Sequence, residues 1–136
     1  MKKVMLFGTF DMLHKGHLNL FRQARKLGNY LIVVVARDKT VREVKTRPAR
    51  HSEKERMYSI KESGLVEKAV LGNLKNKYAA IKKYKPNIIA LGYDQKYFTD
   101  DLKDKLKELK LNKIKIVRLK SYNPKKYKTS KLLNNK

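Results

Sequence analysis

Val4-Met5-Leu6-Phe7-Gly8-Thr9-Phe10-Asp11-Met12-Leu13-His14-Lys15-Gly16-His17 is the stretch on which the fold turns. Val4 to Phe7 is a short apolar run that reads as a buried strand. The chain then breaks at Gly8 and enters a helix that opens with two histidines three residues apart. Residues at i and i+3 share one helix face. The unpaired N–H groups of a helix N-terminus attract anions. Two imidazoles at that place describe a site for a phosphate whose charge changes during reaction. The plainer reading of the same pair is that the histidines only cap the helix and pack locally.

Outward from this stretch the chain alternates regularly. Residues 18–27 are expected as a helix closed by Gly28, a good C-cap. Residues 30–36 are a continuous β-branched run, the pattern of a strand covered on both faces. A short helix is expected over 39–44, followed by a basic loop over 45–51 that Pro48 interrupts. Ser52 and Glu55 have the form of a capping box, and the helix they open should run to about Glu62. A third strand ends at Leu71. A helix is expected over 75–84, stopped before Pro86, and a fourth strand over 87–92. Another helix should begin at Thr99-Asp100-Asp101, with Leu102, Leu106 and Leu109 at helical spacing. Residues 113–119 alternate like an edge strand, and the Lys-rich tail is expected to close on a short helix over 129–133.

Strands alternating with helices give an α/β fold, a single Rossmann-like domain with a mostly parallel five-stranded sheet and helices on both faces. The 136 residues are enough for one such domain, taken as 1–136 with a phosphate-binding tail over 121–136. Ligands of these sheets bind beyond the strand C-termini, at the switch point. The strand ends lead into the histidine motif, Ala36-Arg37-Asp38 and Gly92-Tyr93-Asp94-Gln95, so these polar groups should face one crevice.

Composition narrows the function. No cysteine is present, which excludes disulfides and thiolate chemistry, and three histidines without cysteine argue against structural zinc. No run of about 18 apolar residues exists to span a membrane. The opening MKKVMLFGTFDML has too short an apolar run for a signal peptide, so a cytoplasmic location is expected. Thirty-five Lys and Arg against 12 Asp and Glu give a formal charge of +23. Such a surface attracts polyanions, and nucleic acid is one candidate partner. Frequent Lys, Asn and Tyr, all with A/T-rich codons, offer genome base composition as the other explanation. Either way a basic field suits an enzyme of polyphosphates.

No residue stands out as a covalent nucleophile. The economical chemistry is direct attack of a substrate phosphate oxygen on the α-phosphorus of a nucleoside triphosphate, with catalysis by positioning and charge stabilisation. Backbone N–H groups at Gly8-Thr9 can approach phosphate closely, and His14 and His17 can donate to phosphoryl oxygens. Lys45, Arg47 and Arg50 could close over a triphosphate from the loop at the mouth. Thr129 and Ser130, flanked by Lys128 and Lys131, could hold it from the other side.

The segment from Gly8 to His17 resembles the GTFDxxHxGH signature of the cytidylyltransferase-like nucleotidyltransferases, with Gly8, Thr9, Phe10, Asp11, His14, Gly16 and His17 all in place. The resemblance extends over nearly the whole chain. It implies catalytic roles for His14, His17, Lys45 and Arg118. It implies a nucleotide site of Gly8, Thr9, Phe10, Gly16, Arg56, Tyr93, Asp94, Gln95, Thr129 and Ser130, the Arg56 role resting on an arginine that relatives carry near the start of this helix. A divalent cation, with magnesium the favoured one and its ligands unassigned, and a homodimer are expected with it.

Two subgroups have this size, the archaeal-type FAD synthases and the glycerol-3-phosphate cytidylyltransferases. Leu31 to Thr40, Ala69 to Lys77 and Leu91 to Gln95 look more like the first, which implies ATP and FMN as substrates. The second, which implies CTP, typically carries Gly-Asp-Asp-Trp where this chain has Gly92-Tyr93-Asp94-Gln95, and a Gly-Ile pair in the tail that is missing here. Tyr93 itself departs from the Gly-Pro-Asp-Gln frequent in the first subgroup. Its ring could stack on a flat isoalloxazine, or simply pack on the domain. A nucleic-acid-binding protein that keeps the fold without catalysis is the reading from another class.

Overall fold

The computed structural model describes residues 1–45, 48–92, 95 and 101–121, with the side chains of 44 and 45 outside that description. Five strands and five helices alternate. β1 (Lys3–Gly8) leads through a turn into α1 (Lys15–Leu27), β2 (Tyr30–Val35), α2 (Asp38–Lys45), α3 (Glu53–Glu62), β3 (Lys68–Leu71), α4 (Ala79–Tyr84), β4 (Ile88–Leu91), α5 (Leu102–Glu108) and β5 (Lys115–Arg118). The sheet order is β3-β2-β1-β4-β5 and every pairing is parallel. The expectation of a mostly parallel sheet is met by one that is wholly so.

Period-two alternation divides the core. Val4, Leu6, Leu31, Val33 and Ala90 meet Phe21 and Ala24 of α1 and Ile60 of α3 on one face. Met5, Phe7, Ile32, Val34 and Ile89 meet Ile81 of α4 and Leu102 and Leu106 of α5 on the other. Burial on both faces is why the strand segments read as unbroken apolar runs. β1 is central, and the order reverses beside it: β2 lies on one side and β4 on the other. Gly8 pairs with Val35, Val35 with Leu71, and Leu91 with Arg118, so the strand C-termini end level. They form the floor of a crevice at the switch point. Among the described residues no helix is long and apolar enough to cross a membrane.

Two expectations are corrected. The helix expected over 75–84 is only Ala79–Tyr84. Ahead of it the Asn73 side chain accepts from Lys75 N at 2.8 Å and Asn76 N at 2.9 Å, and the Asn76 side chain accepts from Tyr78 N at 2.9 Å. These side-chain turns take the amides that a helix would have used. Gly28 follows α1 as expected, but in extended rather than left-handed geometry. Its need for glycine is a close approach: a Cβ there would lie 2.5 Å from the Lys2 carbonyl oxygen and 2.8 Å from Val4 Cγ2. The short helix, the edge strand and the Ser52 capping box are found where the sequence puts them, within a residue or two. The tail helix over 129–133 and the Thr99-Asp100 start fall outside the described residues.

Gly28→Ala is therefore expected to destabilise the domain by about 1–3 kcal/mol through overpacking against β1. A urea denaturation midpoint equal to that of the parent would contradict this.

Candidate active site

The turn after β1 is shaped by one aromatic ring. Phe10 takes a positive φ of 53°, uncommon for a bulky residue. This swings its ring back over Gly8, where a Cβ would meet Phe10 Cε2 and Cζ at 2.7 Å. The ring is buried, packed on Phe21 at 5.4 Å and edge-on to His17 at 5.5 Å between centroids. Phe10 thus reaches the site through His17, as part of the core.

His14 and His17 cap α1 reciprocally. His14 is the N-cap, and its Nδ1 accepts from Gly16 N at 3.0 Å. His17 occupies the third helical position, and its Nδ1 accepts from His14 N at 3.3 Å. The rings lie 4.0 Å apart between centroids at 31°. This is the capping-box arrangement with imidazole nitrogens in place of oxygens. A Nδ1 that accepts an amide proton is unprotonated, so in the neutral rings the proton sits on Nε2. Both rings are then Nε2–H donors at the helix N-terminus. Burial lowers the His14 pKa from its ordinary 6.5, which favours that neutral form.

Arg56 lies beneath the turn. It is the sole charged residue in the core among the described residues, with its side chain fully covered. Its guanidinium donates to Thr9 O at 2.9 Å, His51 O at 3.1 Å and Asp38 Oδ1 at 2.7 Å. Asp38 N donates in turn to Glu53 Oε1 at 2.8 Å, and Arg37 Nε lies 3.1 Å from Glu53 Oε2. Partial burial works to raise the Asp38 carboxyl, but bonds from Arg56 and the Glu53 backbone outweigh it and hold the pKa down. Asp11 ties the same region from above. Its carboxylate accepts from Arg50 N at 2.8 Å and His51 N at 2.9 Å, and these bonds outweigh burial to lower its pKa as well. The end of the basic loop is therefore pinned to the histidine turn.

The other wall is held by Gln95 and Arg118. Gln95 Nε2 donates to Phe7 O at 3.1 Å and its Oε1 accepts from Gly92 N at 3.2 Å, bridging the ends of β1 and β4. Arg118 Nη1 donates to Gly92 O at 2.8 Å and Gln95 O at 2.6 Å, adding the end of β5.

Of the residues singled out from the sequence, Gly8, Thr9, Phe10, His14, Gly16, His17 and Arg56 are brought together, and Gln95 and Arg118 adjoin them through Phe7. Thr129, Ser130, Tyr93, Asp94 and Arg47 lie outside the described residues, as does the side chain of Lys45, whose backbone ends α2. The described acids Asp11 and Asp38 are occupied with backbone and Arg56. Among the described residues no three His, Asp or Glu side chains gather to hold a metal. Given no role by sequence reasoning are Asp11, Asp38, His51 and Glu53. Asp11 carried a signal in its fixed place in the decapeptide, and Asp38 in its place at the end of the second strand; His51 and Glu53 carried none.

The His14 cap has a pH consequence. Its folded pKa is below 6.5, so its contribution to stability is complete above 6.5 and is lost as pH falls through the lowered folded value. Imidazole 15N spectra should show His14 as the Nε2–H tautomer at neutral pH, titrating below 6.5. A His14 ring that titrates above that value would contradict the buried cap.

A family profile described as Cytidylyltransferase-like matches residues 5–135. Relatives named FAD synthase include one from Aciduliprofundum boonei, 42% identical over 90% of this chain and 80% of its own length. Another, from Methanohalobium evestigatum, is 44% identical over 86% of this chain and 76% of its own. A solved structure titled a lipopolysaccharide core biosynthesis protein, from Thermoplasma volcanium GSS1, superposes with a TM-score of 0.84 at 39% identity, covering 90% of this chain and 99% of that one. With a profile matched over almost its whole length, on a parallel sheet whose first turn carries the paired histidines, this chain belongs to the cytidylyltransferase-like family.

Proposed function

We propose that the chain is an FMN adenylyltransferase, an FAD synthase, converting ATP and FMN to FAD and pyrophosphate. The observation that carries the chemistry is the reciprocal cap of His14 and His17 at the start of α1, which engages both Nδ1 atoms and so makes Nε2 the protonated nitrogen of each neutral ring. The acceptor is supported by relatives named FAD synthase at 42% and 44% identity.

In this reading a phosphate oxygen of FMN attacks the α-phosphorus of ATP. The bond from that phosphorus to the bridging oxygen breaks, and pyrophosphate leaves with the electron pair. The FMN phosphate is already ionised, so no strong general base is required. His14 and His17 donate to α-phosphate oxygens as charge builds, from positions set before substrate arrives. Gly8, Thr9, Phe10 and Gly16 form the turn beneath the nucleotide, with Arg56 bracing Thr9 from behind. Tyr93, Asp94 and Gln95 complete the nucleotide site after β4. Lys45, Thr129 and Ser130 grip the phosphates, and Arg118 joins them from its anchorage on Gly92 and Gln95. A divalent cation, with magnesium favoured, would accompany the triphosphate and offset its charge, with no ligand assigned among the described residues. The reading places the enzyme in the cytoplasm as a homodimer. The same-fold alternative is CTP:glycerol-3-phosphate cytidylyltransferase.

His14→Asn keeps an N-cap acceptor but loses the Nε2 donor, and His17→Ala removes the second donor. Each should lower kcat by roughly 10²–10³-fold with the circular dichroism of the folded chain retained. Near-normal turnover in either folded variant would remove the histidines from the mechanism. The acceptor is read by flavin fluorescence, which should fall as FMN and ATP become FAD. CDP-glycerol from CTP and glycerol 3-phosphate, with no FAD from ATP, would replace the acceptor while leaving the histidine chemistry standing.

A further inference from the structure

The end of the sheet away from the crevice is a lysine-rich pole. Lys3, Lys68 and Lys115 open β1, β3 and β5, and Lys85 stands three residues before β4 begins. The pairing register sets Lys115 level with Val4 and Lys68 level with Met5, each across one intervening strand, so the three starts lie within two residues of one height. Because each helix runs back against its strands, α4 and α5 deliver Lys85, Lys110 and Lys113 to the same end. All of these but Lys3 are exposed. The pole is held together physically: Lys3 Nζ donates to Tyr84 O at 3.1 Å, while Lys68 Nζ lies 5.3 Å from the centroid of the Tyr84 ring.

Two observations separate this pole from a merely lysine-rich composition. The first is neutralisation. Glu67 is bonded to Arg25 and to Leu31 N, Glu108 pairs with Lys105 at 3.5 Å, and Glu62 engages Tyr58. None of these carboxylates is paired with one of the six lysines. The second is backbone cost. Lys85 and Lys110 follow α4 and α5 with φ of 44° and 58°, in the left-handed region that glycine or asparagine enters at least cost. Favourable interaction with helix dipoles explains basic residues in the last turns. It does not explain lysine at three strand starts.

We propose that this pole binds the phosphodiester backbone of a nucleic acid, without sequence preference, by contacts independent of the catalytic crevice. Point-charge ammonium groups spread across one end of a sheet suit repeated phosphates better than base edges. A bilayer is the poorer fit, since lipid surfaces are held by an apolar face beside the charge. Here the exposed large apolar side chains among the described residues do not gather into such a face: Met1 stands before β1, and Tyr58 lies on α3 with its hydroxyl on Glu62.

The test is fluorescence anisotropy of a labelled single-stranded RNA and a labelled duplex DNA with the full chain, titrated between about 50 and 200 mM salt. Log affinity should fall linearly with log salt. The double variant Lys85→Gly, Lys110→Gly should weaken binding about tenfold at the higher salt and reduce the salt slope by about 2. The same variant should unfold at equal or higher urea, because glycine suits both backbone positions, and should keep its nucleotidyl-transfer rate. The charge-matched variant Lys39→Gln, Lys54→Gln, altered on helices that open at the crevice end, should bind nucleic acid like the parent. Equal losses in both variants would reduce the effect to bulk charge and overturn the proposal. So would binding that ATP displaces, or capture by phosphatidylserine vesicles with no binding of either oligonucleotide. Failure of flavin turnover leaves this result untouched, since the readout does not involve it.

Discussion

A guanidinium in the core is the constraint on which the crevice depends. Arg56 gives up water entirely, and the cost of a buried charge is met only if its donors are spent well. They are spent on the carbonyls of Thr9 and His51 and on Asp38. These three groups come from the turn after β1, the loop before α3 and the start of α2. Apolar contact could have packed α3 against the sheet at many azimuths. The directional bonds of one planar cation select a single one, and with it the height at which the histidine turn sits.

From that fixed turn the chemistry follows by local rules. Phe10 is folded under Gly8, His17 rests against Phe10, and each histidine closes the backbone of the other. The Nδ1 atoms are engaged by the cap, which leaves the proton of each neutral ring on Nε2. The N-terminus of α1 adds its dipole in the same direction. The cap engages the Nδ1 atoms, so the proposed phosphate donors are the other nitrogens of the same two rings.

Much of this was legible in the sequence where the cause is local. Strands covered on both faces announce themselves as apolar runs such as Leu31 to Val35. The Ser52–Glu55 box was readable because both partners lie within one turn. The histidine pair was legible at a helix start, and of its two readings the cap is the one seen in the structure, while the phosphate site is the proposal built on it. The residues 75–78 were misread because apolar spacing says nothing of amides already taken by Asn73 and Asn76. The partners of Arg56, and the bridge from Gln95 to Phe7 across 88 positions, could not be read at all. They depend on which strand ends become neighbours, and that is a property of the assembled sheet.

The contact between Gly8 and Phe10 has a consequence for how this turn can vary through descent. The two side chains compete for one volume: a methyl at position 8 and a ring at position 10 cannot both be present in the conformation described. Neither residue can be exchanged first without a disfavoured intermediate. A larger residue at 8 collides with the ring, while loss of the ring at 10 withdraws the support of His17 and opens a void beside Phe21. Positions 8 and 10 are therefore coupled by volume, so that a change at either is felt first as packing and only then as chemistry.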